Sequence, residues 1–194
     1  MKKLVIYLII VFFSKLNAQI YTAKSGSTTV GFYSEAPLEN IEALNKGAMI
    51  VLKSSTNEIQ IRVTIQNFKF KNALMEEHFN ENYMETEKKV EVNGSATYPN
   101  RYSEFKGKIN EAIDFTKEGE NKVSASGKLN LHGLTKDVVM EGLLSKKGNE
   151  LVLSCKFKVK VSDYNIKVPS MYVKNIAEEV DVTFNAVLEP FQKK

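Results

Sequence analysis

Along most of this chain apolar and polar side chains alternate one by one, and that period admits few folds. From Ile59 to Ile65 every odd position is Ile or Val, and the even ones are Gln, Arg and Thr. From Val123 to Leu131 the odd set is Val123, Ala125, Gly127, Leu129 and Leu131, set against Ser124, Ser126, Lys128 and Asn130. Leu151 to Val161 repeats the pattern, with Ser154, Lys156, Lys158 and Lys160 between apolar residues. Val180 to Leu188 carries it on the even positions. Successive side chains of a strand point to opposite faces, so each segment reads as a strand with one apolar and one wet face. A wet face on every strand implies antiparallel pairing rather than a parallel sheet covered on both sides.

Turn signals separate these runs at Glu118–Asn121, Lys147–Asn149, Asn45–Gly47 and Asn93-Gly94. Weaker strands fit Thr28–Ser34, Ala48–Ser54, Glu104–Asn110 and Lys136–Leu144. The total comes to about eight, the number that closes into a barrel wide enough for one small ligand. Periodicity does not separate such a barrel from a sandwich. Two stretches depart from alternation. Leu74 to Met84 has apolar residues at 74, 75, 79, 83 and 84, a helical spacing. Pro37 to Asn45, with Leu38, Ile41 and Leu44, reads as a short helical turn. Both suit plugs over the end of a barrel. No long repeat or linker divides the rest, so one domain is expected over residues 19–194.

The first 18 residues follow another logic. Lys2 and Lys3 precede ten uninterrupted apolar residues, Leu4 to Phe13, and a short polar stretch ends at Ala18. That order is a secretory signal peptide, with cleavage expected after Ala18 and function outside the cytoplasm, in the periplasm or secreted. Ten helical residues rise roughly 15 Å, too short for a hydrocarbon core of about 30 Å. No later run is long enough to span a membrane. The formal charge of +4 includes Lys2, Lys3 and Lys15; without them 24 basic side chains face 23 acidic ones. So even a balance gives nucleic acid no basic surface. Cys155 is the single cysteine, so no internal disulfide forms.

On this frame two motifs carry a resemblance. Lys122 to Val138 contains Leu129-Asn-Leu-His-Gly-Leu-Thr-Lys136 joining two strands, and Ser162 to Pro169 reads Ser-Asp-Tyr-Asn-Ile-Lys-Val-Pro. With the helical segment Ala73–Glu85 they make the chain resemble the YceI-like family of bacterial envelope proteins, over about Tyr21 to Pro190. The resemblance implies an all-β, antiparallel, eight-stranded lipocalin-like barrel with a short helix over one end. It also implies a binding protein for a polyisoprenoid or other long-chain lipid, without cofactor. The stretch Lys88–Pro99 is longer than the family pattern and falls near the expected ligand mouth.

Combining strand parity with that resemblance, the residues expected to line the tube are Val123, Ala125, Leu129, Leu131, Phe157, Val159, Val182 and Phe184. His132, Lys136 and Tyr164 are candidates for a head group at the rim. Small residues on or beside the inward set (Gly31, Gly107, Ala125, Gly127, Gly142 and Ala186) could leave ligand volume or simply allow barrel curvature. Phe32, Phe105 and Phe115 could line or fill the interior. His132 also has a structural reading, in which it and Thr135 satisfy a tight turn that needs Gly133. His78 and Glu81 share a helix face by spacing and read as a solvated surface. With two histidines and one cysteine in the chain, no metal ligand set is expected. No nucleophile elbow is present, so no catalytic residues are assigned. The alternative to a carrier is a protein-interaction module with a filled barrel; a homodimer stays open.

Overall fold

The computed structural model describes residues 19–35, 40–167 and 177–192; the segment 1–18, expected to be a signal peptide, lies outside them. Thirteen strands and one α-helix are described: β1 (Ile20–Ala23), β2 (Thr29–Ser34), β3 (Ile41–Asn45), β4 (Met49–Lys53), β5 (Glu58–Thr64), β6 (Lys69–Phe70), α1 (Ala73–His78), β7 (Val90–Val92), β8 (Ser95–Thr97), β9 (Tyr102–Ile109), β10 (Gly119–Leu131), β11 (Leu134–Lys147), β12 (Glu150–Lys160) and β13 (Glu179–Pro190). Eight of them close a ring in the order β1, β4, β5, β9, β10, β11, β12, β13 and back to β1. Every ladder is antiparallel. The all-β, eight-stranded barrel implied by the resemblance is therefore the fold, and the sandwich that alternation left open is not.

Three barrel strands are bent rather than straight. β1 pairs with β4 (Tyr21 opposite Leu52) and β2 pairs with β3 (Val30 opposite Asn45). Likewise β4 pairs with β5 and β3 with β6. So 20–34, 41–53 and 58–70 each run as one strand with a break in the middle. The breaks lie side by side, and polar side chains stitch them. Thr28 Oγ1 donates to the Lys46 carbonyl at 3.0 Å, and Ser27 Oγ donates to the Val187 carbonyl at 2.9 Å. Asn45, with 0% exposure, donates to the Thr64 carbonyl at 2.8 Å and accepts from Gly47 N–H at 2.9 Å. Without these bonds the interrupted ladders would leave backbone groups buried and unpaired.

This overturns the helical turn expected at Pro37–Asn45. Residues 36–39 lie outside the described set, and Ile41–Asn45 is strand β3. Ile41, Ala43 and Asn45 face inward, while Leu44 is 51% exposed. The three-residue spacing of Leu38, Ile41 and Leu44 imitates a helix stripe, but Ile41 and Leu44 point to opposite faces of a strand.

Past the breaks, no ladder joins β6 to β9 among the described residues. The helical segment plugs that side. The Asn72 side chain caps α1 by accepting from Leu74 N–H at 2.8 Å, as N-cap residues do. One π turn, Phe79–Tyr83, continues the helix, and Met84 N–H donates back to the Phe79 carbonyl at 2.8 Å. The Phe79 ring stacks on Phe32 at 5.4 Å and meets Phe68 and Phe70 at 5.8 and 5.0 Å. The extra residue of a π turn shifts the helical phase. The helix turns Met75, His78 and Phe79 inward at the ordinary i, i+3, i+4 spacing, and the π turn that follows places Met84 beside Tyr83 on the same side. Leu74, expected on that stripe, is 56% exposed, and Glu81, expected to share the face of His78, is exposed. The long stretch after it forms the small ribbon β7–β8, which is exposed along its whole length.

Two of the small residues act by close approach. Gly107 and Gly127 are cross-strand partners. A Cβ on Gly107 would stand 2.5 Å from the Ser126 carbonyl oxygen, and one on Gly127 would stand 2.5 Å from the Gly107 Cα. Neighbouring backbone fills the space they vacate, so they permit curvature and leave no ligand volume. Gly31 faces outward, beneath Thr183 and Leu44.

Candidate functional site

Inward side chains divide the barrel into two regions. At one end β1 and β4 close the ring, and the interior is solid: Leu52 and Leu188 are 0% exposed, Leu144 and Leu151 1%. Tyr21 stacks on Phe115 there at 6.2 Å. Toward the plugged end the inward residues of the same strands, among them Phe157, Val182, Met140 and Ile61, are only partly buried. The surface they keep faces a cavity of about 380 Å³.

All eight residues expected to line a tube border this cavity: Val123, Ala125, Leu129, Leu131, Phe157, Val159, Val182 and Phe184. Phe32 and Phe105 join them, whereas Phe115 belongs to the solid end. Ala186 is buried outside the lining, also at the solid end. Sequence reasoning missed the contributions of Ile61, Phe68, Phe70, Met75 and His78. Apolar character at 61, 68 and 70 was a visible signal, and the apolar stripe at 75, 79, 83 and 84 marked the inward face of the helix, but nothing marked the polar His78 as part of it.

The size sets what the space can hold. An apolar cavity of about 150 Å³ stays dry and takes up a molecule the size of benzene, and ligand pockets run from about 300 to 1,000 Å³. The lining offers dispersion contacts and few hydrogen bonds, so it selects a flexible apolar chain over a polar molecule. Cys155 shares the wall, and burial pushes its thiol up to about 11. It is therefore a neutral apolar surface and no nucleophile at ordinary pH.

The three rim candidates are not part of the lining. They form a clasp outside it. His132 and Gly133 make a two-residue hairpin turn between β10 and β11, with φ of 51° and 74°, as that turn type requires. His132 Nδ1 lies 2.9 Å from the Tyr164 carbonyl, and Nε2 lies 3.3 Å from Glu85 Oε2. Its side chain is 8% exposed. The histidine thus ties the hairpin both to the chain that follows the plug and to the turn after β12. Lys88, 2.8 Å from Glu85, and secondarily His132 hold the Glu85 carboxyl below the usual carboxylate range. Lys136 pairs with Asp163 at 3.5 Å and faces the Tyr164 ring at 5.8 Å. Tyr164 is buried, which raises its hydroxyl pKa. Thr135 Oγ1 accepts from Asn130 at 2.9 Å, so the turn chemistry accounts for this motif without a ligand.

A family model for the YceI-like domain matches residues 21–188. The chain belongs to the YceI-like family. Solved structures similar to this YceI-like chain share its fold at low sequence identity. A polyisoprenoid-binding domain from Saccharophagus degradans, implicated in plant cell wall breakdown, superposes with a TM-score of 0.71 at 12% identity, covering 88% of this chain and 98% of its own. BcnA of Burkholderia cenocepacia gives 0.64 at 17% identity, covering 82% and 95%. A YceI protein of Campylobacter jejuni gives 0.55 at 15% identity, covering 82% and 90%. No functionally curated protein matches the chain.

Proposed function

We propose that this YceI-like chain is an exported binding protein that carries a long isoprenoid-type lipid, its tail held in the barrel cavity. The observation that carries the reading is the apolar cavity of about 380 Å³ at the plugged end. The similarity to a polyisoprenoid-binding domain of the same fold supports the ligand class. The leader-like first 18 residues support a site of action in the periplasm or outside the cell.

The energetics suit transfer rather than storage. Each buried CH₂ gains about 0.8 kcal/mol relative to water. A bilayer offers nearly the same gain, so the barrel competes with the membrane and the lipid partitions between two similar environments. A protein-interaction module with a filled barrel would have no use for the hollow region, so the cavity favours the carrier. The test is native mass spectrometry of protein recovered from the periplasm. The expected result is a chain beginning at Gln19 with a bound lipid adduct. Protein that retains Met1, or that carries no lipid after gentle release, overturns the reading.

A further inference from the structure

The cavity wall is apolar except at a few points, and those points differ in what they have free. Ser34 Oγ already accepts from Ala177 N–H at 3.0 Å. Ser103 Oγ donates to the Asn130 carbonyl at 3.0 Å. His78 differs from both. It lies on the last turn of α1, half-buried, between Met75 and Phe79 in the lining. Among the described residues its imidazole has no hydrogen-bond or ion-pair partner. An imidazole at the edge of an apolar space, with one donor and one acceptor unused, is suited to a ligand's polar end.

Charge around it narrows the choice. The helical segment carries Glu76, Glu77 and Glu81. Glu76 is engaged by Lys69 at 2.5 Å, and Glu77 and Glu81 are exposed. Glu141 is exposed on the outer parity of β11, opposite Ser124, and among the described residues the lining contains no lysine or arginine. A phosphate or carboxylate head would meet this acidic helix without a fixed counter-charge. A hydroxyl or carbonyl would meet only a hydrogen-bonding partner.

We propose that His78 is the head-group contact of the cavity, accepting from or donating to a neutral hydroxyl or carbonyl at the end of an isoprenoid chain. The assignment rests on the lipid-binding reading above. It also fixes direction: the polar end lies beneath α1, and the tail runs toward Leu153 and Phe184, near the solid end.

The experiment measures binding of three probes with isoprenoid-type chains to full mature protein: geranylgeraniol, geranylgeranyl phosphate and the headless hydrocarbon phytane. Two variants accompany wild type, His78→Leu, which removes hydrogen bonding, and His78→Gln, which keeps it. His78→Leu is expected to weaken geranylgeraniol about tenfold, roughly 1.4 kcal/mol, and to change phytane less than about twofold. His78→Gln is expected to recover most of the loss, which a merely structural role would not produce. Wild type is expected to bind the alcohol more tightly than the phosphate. Tighter binding of the phosphate, or an equal loss for phytane in His78→Leu, overturns the assignment. If phytane and the alcohol bind but His78→Leu is silent, the head-group assignment alone falls. If no probe binds wild type, the lipid-binding reading falls and takes the assignment with it.

Discussion

The two ends of this barrel are built from the same strands and the same period-two pattern, yet one is solid and the other hollow. Along β13 the inward residues run from Leu188 and Ala186, at 0% and 2% exposure, to Val182 and Val180, which border the cavity. Along β12 they run from Leu151 at 1% to Phe157 on the cavity wall. Side-chain size does not explain the change, since Phe157 is larger than Leu151. The cause is what stands opposite. At the solid end β1 and β4 complete the ring and supply Tyr21, Ile50 and Leu52. Past the strand breaks, the wall between β6 and β9 gives way to a short helix and a π turn, which cover the opening without filling it. Stability is concentrated at one end of the barrel, and room for a ligand at the other.

The largest effect that separates the ends is truncation. Leu188→Ala in the solid end is expected to cost about 2–5 kcal/mol, the range for a fully packed leucine. Phe157→Ala removes more atoms, but the ring already lacks neighbours on its cavity side. Its loss is expected to be smaller than that of Leu188→Ala, because missing partners forfeit dispersion energy in advance. Denaturant midpoints decide the order; a larger loss for Phe157→Ala would mean that the hollow end is packed as tightly as the solid one.

A smaller effect is expected at the seam. Asn45→Ala leaves the Thr64 carbonyl and Gly47 N–H without their buried partner. The expected cost is about 1–3 kcal/mol. If Asn45 holds the bend that opens the wall, the variant should also lose lipid capacity. Unchanged stability would show that the breaks need no stitch.

How much of this was legible in the sequence follows from the same contrast. Alternation reveals a strand wherever one face is wet, so all eight barrel strands could be read in part, and parity placed Val123 to Phe184 on the inner wall. Closure into a ring, the strand breaks and the cavity depend on which residues meet across the barrel, and one chain's periodicity does not carry that. Asn45 looked like a turn residue, because a buried amide that joins interrupted ladders leaves no local pattern. His78 was read as solvated because it is polar, although its spacing from Met75 and Phe79 sets all three on one helix face. Gly107 and Gly127 could be read as ligand volume or as curvature until their register set them face to face.

The smallest expected change in stability is the most direct test of the hollow end. Ala125 borders the cavity, while its neighbour Ser126 points outward, where its hydroxyl accepts from Asn110 at 2.9 Å. The measurement is extracted lipid together with the denaturant midpoint for Ala125→Phe, Ser126→Phe and wild type. The expected result is that Ala125→Phe abolishes lipid uptake at a cost below about 1 kcal/mol, since the ring enters empty space instead of overpacking a core. Ser126→Phe is expected to leave both quantities near wild type. Destabilisation of Ala125→Phe by about 1–3 kcal/mol, with no lipid in wild type, would contradict the account and describe a filled barrel.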